Sequence, residues 1–244
     1  MDDSIEINLR PARQVGQRLI ALVAMLHRAE LETRTGQQSA AELNEERFDL
    51  SAWLSDQQVA EALSPSEQRF LDARVGSLSE EELGALSSIQ GSIEAIAWSL
   101  LVIDSLRADL DTIDIIANVP GPDDRVGAFL QPLALRPLAA IADAREESEI
   151  WAWRFDIELE ARSENRAIHA EDSEVIRAVL NELADSGSQV ESIDGDFVMD
   201  GFPVARVDTV LVEYAAAIEF ERLRAFNWVC GYGQTWDDVP LEID

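Results

Sequence analysis

The chain has 244 residues, 47% of them apolar, with 48 acidic residues against 19 basic ones and a net charge of −29. Every basic residue is arginine, and a field of that sign repels nucleic-acid backbones and anionic membranes, so no nucleic acid and no membrane is expected as a partner. A single cysteine, Cys230, forms no internal disulfide, and the acidic Met1–Glu6 start lacks the basic residues of a secretory signal, so a cytoplasmic setting is expected. From Arg10 to Glu32, Val15, Leu19, Leu22, Val23 and Leu26 recur at helical spacing, with Arg13, Gln14, Gln17 and Arg28 on the other side. That is an amphipathic helix with one buried face, closed by Gly36. Residues 38–63 read as one or two further helices. Ser64-Pro-Ser-Glu67 is a helix start with serine at the N-cap, proline at the first helical position and glutamate three residues after the cap. Ser79-Glu-Glu-Glu82 repeats this logic for a helix that should run to about Leu106 and form the centre of the domain. Val119-Pro-Gly-Pro-Asp-Asp124 is a break, either a loop or a join between two helical halves of one domain.

Past a second break at Pro132–Pro137, a helix should extend to about Arg162 with apolar residues along two strips. The Arg154/Glu158 pair lies between the strips. Asp172–Ala184 is another amphipathic helix. The period then changes, and short β-prone pieces between Val190 and Val207 are punctuated by Asp194-Gly195 and Asp200-Gly201, the dipeptides of tight hairpin turns. A last helix should span about Asp208–Cys230. The expected fold is mainly α, a single helical domain with a minor β-hairpin near residues 190–207, and with no sequence repeat.

No catalytic, phosphate-binding or metal-binding motif occurs, so no cofactor and no metal is expected. His27 and His169 lie apart and belong to no ligand spacing, and Cys230 on an apolar strip is a core residue. Two polar residues stand on apolar helix faces: Glu94 among Ala97, Trp98 and Leu101, and Asn227 beside Phe220 and Leu223. Buried polar groups need partners, so Glu94 is expected to contact Arg222 or Asn227 and tie two core helices together. The competing reading makes Glu94 a general acid or base beside Arg222. Trp228, Trp236 and Asp237 complete the candidates, with Trp236 anchoring the tail and Asp237 acting as a cap, or with the segment exposed as an aromatic-acidic docking surface.

The run Glu-Arg-x-x-Ala-x-Asn-Trp-Val at Glu221–Val229, followed by Trp236-Asp-Asp-Val239, resembles the end of a bacterial family known as domain of unknown function 4272. Leu9-Arg10, Leu63-Ser-Pro-Ser-Glu67 with Phe70-Leu71, Glu94-Ala95 with Trp98, and Leu135-Arg136 are similar, in order, to other segments of that family. Two segments depart from it: Gly91-Ser92 stands where the family has Trp-Arg, and Trp151–Asp156 lacks a family arginine and histidine. The resemblance implies a fold and no activity. The expectation for function is a non-catalytic interaction protein whose acidic surface engages a basic protein partner. The alternative is a small-molecule hydrolase or transferase with a buried Glu94/Arg222 site, and a homo-oligomer stays open.

Overall fold

A computed structural model describes residues 7–106, 113–122, 124–187 and 190–241, and it is mostly helical with a small antiparallel sheet. The chain divides into two compact units: residues 1–145 with 221–244, and residues 146–220.

The first unit is organised around α1 (Ala12–Thr33), which packs against α2 (Ala40–Asp56), α3 (Pro65–Asp72), α4 (Glu80–Ser88) and α5 (Gln90–Ser99). Its burial is wider than one face. Arg18 and Arg28, which share the helix with Val15, Leu19, Leu22 and Met25, are themselves almost fully buried. Arg28 was expected on the polar side, and it is inside because it donates to the Phe70 and Ala73 carbonyls at the end of α3 and to Glu32. Arg47 of α2 donates to the Leu71 carbonyl at the same helix end. A helix terminus leaves its last carbonyls unsatisfied, and guanidinium groups fill them with favourable dipole interaction.

The starts of α2, α3 and α4 carry reciprocal capping boxes, Ser39/Glu42, Ser64/Glu67 and Ser79/Glu82. The single helix expected from Ser79 to about Leu106 is instead two, divided at Ile89, and it ends at Ser99. The terminator is Leu101 at φ 60: its N–H donates to Trp98 O, and the Val102 N–H donates to Ala97 O. That is a Schellman closure with leucine in the left-handed position usually held by glycine. Two short helices follow, α6 (Ile113–Ile116) and α7 (Gly127–Leu130). Of the Val119–Asp124 break, Asp123 lies outside the described residues. Val119 and Val126 are buried in the first unit's core, and the Asp124 carbonyl accepts from the Trp53 indole at 2.9 Å.

Two long helices, α8 (Leu138–Ser163) and α10 (Thr209–Val229), contain the divisions between the units. The second unit adds α9 (Ala170–Ser186) and three short strands, β1 (Ser192–Ile193), β2 (Asp196–Met199) and β3 (Phe202–Pro203), paired antiparallel in the order β1-β2-β3. Both turns have positive φ at each central residue, Asp194 and Gly195, then Asp200 and Gly201, the backbone that matches strand twist in two-residue hairpins. Phe155, Ile176, Leu180, Phe197 and Val212 form this unit's core. Within it Arg154 is fully buried, pairing with Glu158 on its own helix and donating besides to both carboxylate oxygens of Asp196.

The end of α10 is closed by Gly231 at φ 98, with the Gly231 N–H on Trp228 O and the Tyr232 N–H on Asn227 O. A Cβ at Gly231 would stand 2.5 Å from the Asn8 carbonyl oxygen, an atom of backbone that cannot rotate aside. Gly231→Ala should therefore cost more than the roughly 1–2 kcal/mol of a left-handed non-glycine residue, because Asn8 must also move. Urea denaturation would measure it, and a loss below about 1 kcal/mol would contradict this packing.

Candidate functional site

Helices α5 and α10 run side by side in the same direction within the first unit, matched at three levels. The Ser92 hydroxyl donates to the Glu221 carbonyl and carboxylate at 2.8 and 2.7 Å. Arg222 donates to Glu94 at 2.9 Å, with Glu94 fully buried and the Arg222 side chain 14% exposed. Below them Trp98 meets Phe226 edge-on, with ring centroids 5.9 Å apart. Glu94 thus meets Arg222, while Asn227 goes elsewhere: it accepts from Arg145 at 2.8 Å and donates to the Pro240 carbonyl at 2.8 Å.

The ends of this helix pair are finished by the same device twice. Arg136 places its N–H on the Ser99 carbonyl, its Nε on the Trp98 carbonyl and its guanidinium 4.5 Å from the Trp98 ring centroid. Arg10 does likewise to Val229 O, to Trp228 O and to the Trp228 ring at 4.6 Å. Each arginine sits in a Leu-Arg-Pro tripeptide, Leu9–Pro11 and Leu135–Pro137, that leads directly into a long helix. This short internal repeat corrects the expectation of none.

The tail completes the unit. Trp236 stacks edge-on with Trp228 at 5.7 Å and lies under the Arg18 guanidinium at 4.0 Å. Arg18 in turn forms a buried bidentate pair with Glu67. Asp237 accepts from the Ser66 N–H and hydroxyl at the start of α3. Burial works to raise the Asp237 carboxyl, but hydrogen bonds from Ser66 and Ser64 and the Arg18 charge outweigh it and hold it below the usual aspartate value. Trp228 and Trp236 are both buried, and beside them lies a cavity of only about 270 Å³. Burial pushes the Cys230 thiol up to about 11, against a smaller opposing effect of Arg145, so it is not a thiolate nucleophile at neutral pH.

A larger opening lies between α1 and α2, about 610 Å³ in volume, with Leu31, Leu50 and Trp53 at its base. Glu46, Asp49, Trp53 and Asp56 fall on one face of α2, with His27 and Glu30 on the facing side of α1 and Arg34 just past its end. Arg34 is engaged by both oxygens of Glu46, and His27 Nδ1 lies 3.4 Å from Glu30. Asp49 and Asp56 remain as exposed acids on the rim. The acids of α2 recur at i, i+3 and i+10 around Trp53, a stripe present in the sequence that none of the candidate residues above includes. Among the described residues no group of three or more histidine, cysteine or acidic side chains is arranged to hold a metal ion, and no helix is long and apolar enough to cross a membrane.

Residues 1–177 match the model of a family described as a domain of unknown function, DUF4272. The matched residues end within α9, so the hairpin, α10 and the Glu221–Val229 segment lie beyond them. No curated protein and no solved structure matches the chain.

Proposed function

Because the chain belongs to the DUF4272 family, whose description carries no activity, we propose its role from the way its charges are disposed: a non-catalytic cytoplasmic interaction protein whose acidic surface engages a basic protein partner. The observation that carries this reading is that the buried charges nearly balance and leave the acid excess outside. Arg18, Arg28, Arg47 and Arg154 are at most 5% exposed, and Arg10, Arg136 and Arg162 hold backbone carbonyls. Buried glutamates accompany them, Glu32, Glu67, Glu94, Glu158 and Glu219, so among the described residues the buried charges nearly cancel and the chain's acid excess stands outside the core. Such a field steers a cationic partner and accelerates its encounter. The α1–α2 groove is where the acids frame an apolar base, which gives a basic segment both charge and contact area.

The enzyme alternative finds less support. Glu94 has no exposed surface and lines none of the cavities described above. Binding of a fluorescent arginine-rich peptide, followed by anisotropy as salt is raised, tests the reading. Affinity should fall steeply with salt. The pair Asp49→Asn/Asp56→Asn should weaken binding about tenfold more than Glu174→Gln/Glu182→Gln, which removes the same charge from α9. Absence of binding at low salt would sink the reading, and equal losses for the two pairs would remove the groove from it.

A further inference from the structure

The second unit holds a cleft of about 670 Å³ formed by the end of α8, by α9 and by the hairpin. Its lining combines apolar side chains, Ile168, Ile176 and Val207 among them, with three guanidinium groups, Arg162, Arg166 and Arg177. In a chain of net charge −29 that concentration of cations is unusual.

The acids in the cleft are already engaged. Glu158 accepts from Arg154 through one oxygen and from Arg162 through the other. Asp196 accepts both arms of Arg154 and the N–H groups of Phe197 and Ala205, and Asp194 pairs with Arg206 at 3.0 Å. Two of the cleft arginines are occupied as well. Arg162 gives its other N–H groups to the Thr209 hydroxyl and the Val204 and Val207 carbonyls, and Arg166 pairs with Glu164 and Glu160.

Arg177 is the remainder: among the described residues it has no hydrogen bond and no ion pair. Its stem is nevertheless held. A Cβ on Gly195 would stand 2.9 Å from Arg177 Cγ and 3.0 Å from Cδ, so the side chain lies directly against the bare face of that glycine. The residue that gives the β1–β2 turn its φ of 78 therefore also seats Arg177 at the cleft.

We propose that this cleft binds a small monocarboxylate with an apolar body, the carboxylate on Arg177 and the body against Ile168, Ile176 and Val207. The planar guanidinium fork matches a carboxylate in a bidentate pair. One uncommitted cation balances one negative charge. A phosphate dianion would keep an excess negative charge inside a strongly negative field. A cationic ligand meets only acids that other arginines already hold. The volume falls within the usual range for small-molecule sites, and the apolar part of the lining selects against small hydrophilic acids.

Octanoate is the probe, with octanamide and inorganic phosphate as comparisons, each titrated calorimetrically into the full chain at constant ionic strength. Octanoate should bind saturably, and octanamide and phosphate at least about tenfold more weakly. Arg177→Gln should lose octanoate binding, Arg177→Lys should keep part of it, and both should keep the wild-type melting temperature because Arg177 holds nothing in the fold. Octanoate that fails to saturate overturns the proposal, as does octanamide or phosphate binding equally well, or Arg177→Gln binding like wild type. The groove variants Asp49→Asn/Asp56→Asn should leave octanoate binding unchanged, so this result stands or falls apart from the peptide experiment.

Discussion

Arg154→Met should loosen the second unit by about 3 kcal/mol, the lower part of the range for stripping one partner from a buried ion pair. Methionine replaces much of the buried stem, so the loss is electrostatic rather than a cavity. Glu158 keeps Arg162, which moderates the cost, whereas Asp196 keeps only the N–H groups of Phe197 and Ala205. Hydrogen exchange at the Phe197 and Val198 amides reads this unit by itself, and protection there should fall about a hundredfold. A fall of less than about threefold would show that the pair contributes little. Acidity supplies a second check. In the wild type, burial works to raise the Asp196 carboxyl, but Arg154 and the two N–H donors overcome it and hold it below the usual value of 3.8. A depressed folded pKa stabilises the native state above the unfolded pKa, and that contribution is lost as pH falls through the folded value. Without Arg154 the burial remains and the main opposing charge is gone. The gap between wild type and variant should therefore narrow on acidification. Asp196→Asn placed on Arg154→Met should recover part of the loss at neutral pH.

Glu94→Ala should cost the first unit about 3 kcal/mol, since it removes a fully buried carboxylate to which the Arg222 guanidinium donates. The double variant Glu94→Leu/Arg222→Met should regain most of that, because two apolar chains of similar volume avoid desolvating charge altogether. Equilibrium denaturation of the four proteins in a double-mutant cycle gives the coupling directly. A double variant no more stable than Glu94→Ala would mean that the two side chains do not depend on each other. A stable double variant that still binds the arginine-rich peptide would place the pair in the architecture and outside the function.

Features encoded within a single turn were legible from the residues. Ser64 and Ser79 announce their helices because a capping box needs only the cap residue and the third residue after it, and Asp-Gly announces a hairpin because it needs only two left-handed positions. The end of α5 was not legible, because no glycine or proline marks it. It is imposed by Leu101 in an uncommon backbone state and by Arg136, which arrives from a distant segment to hold the Trp98, Ile103 and Asp104 carbonyls. The buried arginines were misread for the same reason: Arg28 looks polar on a helical wheel, and only the end of α3 gives it a reason to be inside. Periodicity reports which face is apolar and is blind to a cation whose partners are backbone carbonyls. The Leu-Arg-Pro repeat is only three residues long, and its meaning lies in what each copy touches. Glu94 and Asn227 stood out as polar residues on apolar faces, but the partners of Asn227, Arg145 and Pro240, share no local pattern with it.

The Arg10 cap on α10 also sets an order of events during synthesis. The first unit is closed by contacts between Asn8 or Arg10 and residues 228–233, so the segment around Asn8 waits until those residues are made. The second unit is one continuous stretch, residues 146–220, and has no such wait. A nascent chain emerging from the ribosome can finish its middle before its beginning, the reverse of the usual N-terminal-first sequence. During that interval the face of α5 that carries Ser92, Glu94 and Trp98 still lacks the α10 residues it meets in the finished fold.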